Sequence, residues 1–257
     1  MTSASSGAAR PSAGLAMKSL LRADSIVLVN SKTSVILSVF LPVVIVVISS
    51  FGKSQSRLGG ASLILGLALT IGLLTSCLLG YSITLAHDRE AGVLQRLRVT
   101  PAPGWMIMTS RLVVQVATNL VSSVVVVIVG SALHHLSLTV GQFLLALAVA
   151  VLGAAMFLAL GQALVGLVRS STAVNATGRL LMVVLLLLGL LGGTGILGDT
   201  MKIIADWSPV GALMTLFSDV LGGMPWSGQD TYAFLACVGY IVVFSYVGIR
   251  WFRWESR

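Results

Sequence analysis

The sequence predicts an all-α, polytopic membrane protein with six transmembrane helices, an N-terminal interfacial helix, a short cytoplasmic helix and a small extracellular re-entrant helical segment. Three observations carry that expectation. Apolar residues make up 56% of the 257 positions and charged ones only 9%, and mean hydropathy is +1.01, beyond what a soluble core needs. The apolar residues fall in runs long enough to cross hydrocarbon, where only helices or closed barrels satisfy the backbone. The net charge of +8 is spread as single basic residues at the ends of those runs. Such a pattern marks membrane topology, not a nucleic-acid-binding stripe.

Taken in chain order, residues 1–14 are small and polar and are expected to form a disordered tail. Residues 15–257 form one six-span domain. Its first part, Leu15 to Asn30, interleaves Met17, Leu20, Leu21, Ile26, Val27 and Leu28 with Lys18, Arg22 and Asp24. This pattern suits a helix lying in the membrane interface, or an N-terminal extension of the first span. The apolar runs then extend from Val35 to Phe51, Gly60 to Ala86, Leu112 to Gly130, Phe143 to Val168, Leu180 to Leu197 and Tyr232 to Trp251. Pro42 removes one donor from the first and is expected to bend it. Gly189, Gly192, Gly193, Gly195 and Gly198 make the outer half of the fifth either poorly helical or closely packed.

Topology follows from the basic residues. With a cytoplasmic N-terminus only Lys53, Arg57 and Lys202 fall outside, whereas Arg10, Lys18, Arg22, Lys32, Arg89, Arg96, Arg98, Arg111, Arg169, Arg179, Arg250, Arg253 and Arg257 fall inside. Both termini are therefore expected in the cytoplasm, at the plasma membrane, with membrane lipid around the spans. The first run starts too far along the chain for an ordinary cleaved signal peptide. Between the fifth and sixth runs, Gly198 to Asp230 carries Asp199, Asp206, Asp219 and Asp230 against Lys202 alone. Val210, Leu213, Met214 and Phe217 recur there at helical spacing, predicting a short re-entrant or surface helix.

The charges between the second and third runs are denser than anywhere else. If residues 88–99 are helical, Glu90, Val93, Leu94 and Leu97 share one face and Pro101 with Pro103 stops the helix. A short amphipathic helix braced by two spans can carry a push from a soluble partner into the bilayer; the plainer alternative is a positive-inside anchor.

That stretch, Arg89-Glu90-Ala91-Gly92-Val93-Leu94-Gln95-Arg96-Leu97-Arg98-Val99-Thr100-Pro101, resembles the R-E-x-G-x-L-x-x-L-x-x-T-P cytoplasmic loop of type-2 permeases of ABC transporters, the class that exports drugs, lipids or polysaccharides. Trp207-Ser208-Pro209 resembles, more weakly, the proline-led entry into that family's small extracellular helices. Val93 and Gln95 stand where the family often has Thr and Glu. The resemblance implies a dimer of six-span chains, the second permease subunit being identical or homologous, each coupled to a nucleotide-binding ATPase subunit. It also implies that Arg89, Glu90, Val93, Leu94 and Leu97 form the coupling helix that docks on that subunit. No Gly-x-x-x-x-Gly-Lys-Ser/Thr occurs in the chain, so no cofactor is expected on it, and ATP with Mg belongs to the partner subunit.

Polar residues within the runs mark the candidate translocation path. Arg111, Gln115, Asn119 and Ser122 follow at spacings of four, four and three, a stripe that either lines a path at a dimer interface or bonds a neighbouring helix within one subunit. Arg111 is expected to snorkel to the inner headgroups. Thr75, Ser76 and Gln162 are further path candidates, although a hydroxyl also bonds its own helix backbone. His134-His135 without a nearby carboxylate makes a poor metal site. No acidic residue lies in any of the apolar runs, which argues against a membrane protease, a lipid-modifying enzyme and an ion-driven carrier. Two classes remain: an exporter permease moving an amphipathic drug, lipid or related hydrophobic molecule, and a membrane scaffold or assembly component without transport.

Overall fold

The computed structural model describes residues 13–30, 32–51, 60–93, 104–192 and 198–251. Among these it is helical, without strands. Helix α1, Ala13–Asn30, precedes α2, Lys32–Phe51. A 30-residue rod, Ala61–Glu90, consists of α3 (Ala61–Leu73), a π-helical segment (Leu74–Gly80) and α4 (Tyr81–Glu90). There follow α5 (Gly104–Leu133), α6 (Val140–Leu167), α7 (Ser171–Leu187) running into a π-helical segment Leu188–Gly192, α8 (Asp199–Trp207), α9 (Pro209–Gly222) and α10 (Gly228–Trp251). Among the described residues, five helical segments are long and apolar enough to cross a membrane: Ala61–Glu90, Met106–Leu133, Val140–Leu167, Ser171–Leu190 and Gly228–Trp251. The expected tail falls outside the described residues except for Ala13 and Gly14, which already belong to α1.

Local chemistry explains where these helices start. Thr139 and Gln142 form a capping box at α6, the Thr139 hydroxyl accepting from the Gln142 N–H at 3.3 Å and Gln142 Oε1 accepting from the Thr139 N–H at 2.8 Å. Ser170 caps α7, its Oγ accepting from Ala173 N–H at 3.1 Å. Helix α7 therefore begins well before the expected Leu180: its first turns are polar, and the cap outweighs composition. Helix α5 likewise begins at Gly104, ahead of the expected Leu112. Ser208 caps α9, with Pro209 in the first turn where its missing N–H is harmless. The proline-led helix entry is thus present, preceded by a second short helix, α8, that the sequence reading does not contain.

Alternating connections place Glu90, Met106, Leu167 and Ser171 at one end of the bundle and Ala61, Leu133 and Val140 at the other. The core is built from fully buried Leu65, Leu74, Leu78, Phe157, Leu213 and Phe217. Helix α9 inserts among α3, α6 and α10, which requires residues without side chains where it passes. A Cβ at Gly153, halfway along α6, would lie 2.6 Å from Leu213 Cδ2, and one at Gly189 would lie 2.5 Å from Val210 Cγ1. Of the two expectations for the glycine-rich end of the fifth run, close packing is the one met among the described residues: the chain stays helical, as a π-helical segment over Leu188–Gly192, and Gly189 lies against Val210.

Candidate functional site

Arg89 and Glu90 end α4 and, among the described residues, form a densely hydrogen-bonded polar site. The Arg89 guanidinium is buried, 4% exposed. Its Nη1 donates to Val165 O at 2.7 Å, and its Nη2 donates to Val168 O at 2.9 Å and Arg169 O at 2.6 Å. The Val165 carbonyl is among the last four of α6, which lack helical partners, and a cation suits that negative helix end. Glu90 does the complementary job one residue later. Its Oε1 accepts from the Ser171 N–H at 2.6 Å and its Oε2 from the Ser171 hydroxyl at 2.5 Å, at the first turn of α7, where donors are unsatisfied and a negative charge is favoured. The pair thus bridges the C-terminus of α6 and the N-terminus of α7 across the connection 168–170.

The single helix expected over residues 88–99 is not formed. Helix α4 carries Asp88, Arg89 and Glu90 as its last turn, Ala91 and Gly92 make a turn, and Val93 is helical again. Gly92 sits at φ +69, a left-handed geometry that ends helices and that glycine adopts without a Cβ clash. Glu90 and Val93 therefore lie on different elements, not on one face. Val93 is half-buried, while Leu94 and Leu97 lie outside the described residues.

A second polar contact lies beside the first. Arg111 Nη1 pairs with Asp88 Oδ2 at 2.5 Å, which ties α5 to the end of α4. Ser110 Oγ donates to Asp24 Oδ2 at 2.5 Å, attaching α1 to the same end of α5. Asp24, Asp88, Ser110 and Ser171 are not among the residues singled out from the sequence. The signal for Asp88 and Arg111 was their flanking of one charged loop. Nothing local marks Ser171.

The path candidates do not converge on one cavity. Gln115 Nε2 donates to Ser76 Oγ at 3.0 Å, joining α5 to the π-helical segment. Asn119 Nδ2 donates to its own helix at Gln115 O, 2.8 Å away. Thr75 Oγ1 points to Met182 Sδ at 3.9 Å, towards α7, and Gln162 Nε2 donates to Tyr81 OH at 3.1 Å. Gln115 thus makes the within-subunit bond that was one of the two readings of the stripe. Asn119 and Ser122 face a narrow crevice that Pro42, Leu69, Gly72, Leu73, Ser123 and Val126 also line. Pro42 fits there because Gly72 has no side chain: a Cβ would lie 3.1 Å from Pro42 Cγ. His134 Nε2 lies 3.2 Å from Ser49 Oγ, and among the described residues no three His, Cys, Asp or Glu side chains gather as a metal site.

A family model described as ABC-2 type transporter matches residues 16–221, most of the chain, from α1 to the last turn of α9. The chain belongs to that family. It is thus a multi-pass membrane protein of the permease type: ABC-2 membrane components are the transmembrane parts of ABC transporters, lack an ATPase site, and work as dimers with an ATPase subunit. A search of curated proteins gave no match.

Proposed function

We propose that this ABC-2 chain is the permease subunit of an ATP-driven exporter. It moves an amphipathic drug, lipid or related hydrophobic molecule out of the cytoplasm or inner leaflet. A separate nucleotide-binding subunit carries ATP and Mg, and a second permease subunit completes the pathway. In this reading α2 is a sixth span, α1 lies in the interface, α8 and α9 form the outer re-entrant segment, and both termini are cytoplasmic at the plasma membrane.

The observation that supports coupling most strongly is the Arg89–Glu90 bridge. The loop that resembles a docking segment starts at the residue pair whose side chains hold the ends of α6 and α7. A displacement of the segment from Val93 to Leu97 by a docked ATPase is carried through Gly92 to α4, and through hydrogen bonds to two further spans. Arg89 and Glu90 act by positioning, and Val93, Leu94 and Leu97 supply the apolar docking seam. Path candidates Thr75 and Ser76 sit on the rod that ends in the bridge and Gln162 on α6, while Gln115 and Asn119 sit on α5, which Gln115 ties to Ser76. The polar surface they offer is small, matching a predominantly apolar substrate.

The test is co-purification and transport. Tagged wild-type chain should retain an ATPase subunit from its native membranes and support ATP-dependent export of a fluorescent amphipathic dye into inverted vesicles. Leu94→Asp, which puts a charge in the seam, should release the ATPase at matched membrane abundance. An ATPase-free preparation that leaves the chain's cellular role intact would favour a scaffold.

A further inference from the structure

At the opposite end of the bundle from Arg89, two carboxyl groups meet where α9 ends and α10 begins. Asp230 is 2% exposed. It stands in the first turn of α10, and its Oδ2 accepts from the Ser227 N–H at 2.7 Å and the Ser227 hydroxyl at 2.8 Å, while the Asp230 N–H donates back to Ser227 Oγ at 3.3 Å. This is a reciprocal cap, and the positive end of the helix favours a negative charge there. The second oxygen, Oδ1, is buried without any hydrogen-bond donor. A bare carboxylate oxygen in that position is costly. The side chain of Asp219 lies within hydrogen-bonding reach of the Asp230 carboxyl, in the last turn of α9, where the helix dipole disfavours a negative charge.

We propose that Asp219 and Asp230 form a proton-binding site in which one proton, carried by Asp219, is donated to Asp230 Oδ1 and fastens α9 to the last span. The shared proton supplies the donor that Oδ1 lacks, and it removes one of two like charges held together. Burial and the hydrogen bond and charge of Asp230 push the Asp219 carboxyl up to about 6. In the folded protein the proton is therefore held through a range in which an unfolded Asp has lost it, so the contribution to stability is present at acid pH and is lost as pH rises through about 6. Above that, two carboxylates face each other and the contact is repulsive.

Few other charges intervene. Of the elements packed against α9, α3, α6 and the segment Leu188–Gly192 carry none. Helix α8 brings Asp199, Lys202 and Asp206. Helix α7 brings Arg179 from its middle, and Arg250 lies twenty residues after Asp230, about 30 Å along α10. His134 and His135 lie in the connection between α5 and α6 at this end of the bundle.

The full chain in lipid nanodiscs is followed by the infrared carboxylic-acid C=O stretch and by thermal melting across the same pH series. Wild type should show a protonated carboxyl that titrates near pH 6 and a melting temperature that falls over that range. Asp219→Asn, isosteric and able to donate an N–H to Asp230 Oδ1, should lose the band and the pH-dependent step while melting as wild type does in acid. Asp230→Asn should move the Asp219 band down towards the ordinary carboxyl range. The assignment is overturned if Asp219→Asn keeps the wild-type band, if its melting keeps the wild-type slope, or if calcium chloride at alkaline pH stabilises wild type but not Asp219→Asn. The last result would mean a metal ion, not a proton, closes the pair.

Discussion

Replacing Arg89 tests the bridge between α4 and the ends of α6 and α7 directly. Its guanidinium makes three hydrogen bonds to carbonyls, at 2.7, 2.9 and 2.6 Å, and it is buried. Hydrogen bonds to a charged group contribute about 1.5–3 kcal/mol each, but bonds in one cluster do not add, and the carbonyls of residues 168 and 169 can recruit water. Arg89→Gln, which reaches at most one of the three, should therefore cost about 3–5 kcal/mol. Arg89→Lys keeps the charge but not the fork, so it should cost about 2 kcal/mol. For a chain of this size these figures correspond to melting temperatures lower by roughly 6–20 °C and 4–8 °C. Differential scanning fluorimetry of the three proteins in one detergent gives the order. The reasoning is refuted if Arg89→Gln melts with wild type. It is equally refuted if Arg89→Lys does, because a single ammonium cannot replace a fork that spans three carbonyls.

Three further outcomes follow from other parts of the bundle. In a background lacking Cys77 and Cys237, single cysteines at Ser6 and Ser256 should resist an impermeant thiol reagent in intact cells while one at Ser54 reacts; reversed labelling would invert the topology. Gln115→Leu with Asn119→Leu removes the 3.0 Å bond to Ser76 and should lower stability by about 1 kcal/mol while changing substrate-stimulated ATPase activity in an assembled complex. An unchanged substrate response would make the stripe ordinary helix packing. Gly153→Ala places a methyl 2.6 Å from Leu213 Cδ2 and should destabilise by about 1–3 kcal/mol, measured as thermal melting; Gly141→Ala, which meets only Thr139 Oγ1 at 4.0 Å, is the control and should be near neutral.

Much of this architecture is legible in the residues. Long apolar runs announce the candidate spans because lipid leaves the backbone one solution, and the spacing of Val210, Leu213 and Phe217 announces α9 because those side chains face the core. The start of α7 is hidden. Ser171 to Arg179 reads as a polar connection, and the group that stabilises it, Glu90, comes from 81 positions earlier in the chain. The break after Glu90 is readable only through Gly92, since helix propensity elsewhere in 88–99 favours continuity. Arg111 as a lone cation at a span end looks like a headgroup anchor; its pairing with Asp88 depends on how two helices lie across a loop. No sequence signal foretells the π-helical segment at Leu74–Gly80, because a widened turn is decided by the neighbours it accommodates.

That widened turn sets the rotational phase of the rod from Ala61 to Glu90. Each residue of an α-helix turns the chain by about 100°, so the register accumulated through Leu74–Gly80 determines the compass direction in which Arg89 and Glu90 leave the far end, while Leu65 and Leu69 stay fixed at the near end. Deleting one residue inside the segment would rotate the distal pair by roughly that angle, away from the ends of α6 and α7, and so break its bonds there although both side chains are kept. Thr75 and Ser76 sit within the same turn and point to different neighbours, α7 and α5. The winding of that one segment therefore fixes where the loaded end of the rod points, while its buried end is held by its own packing.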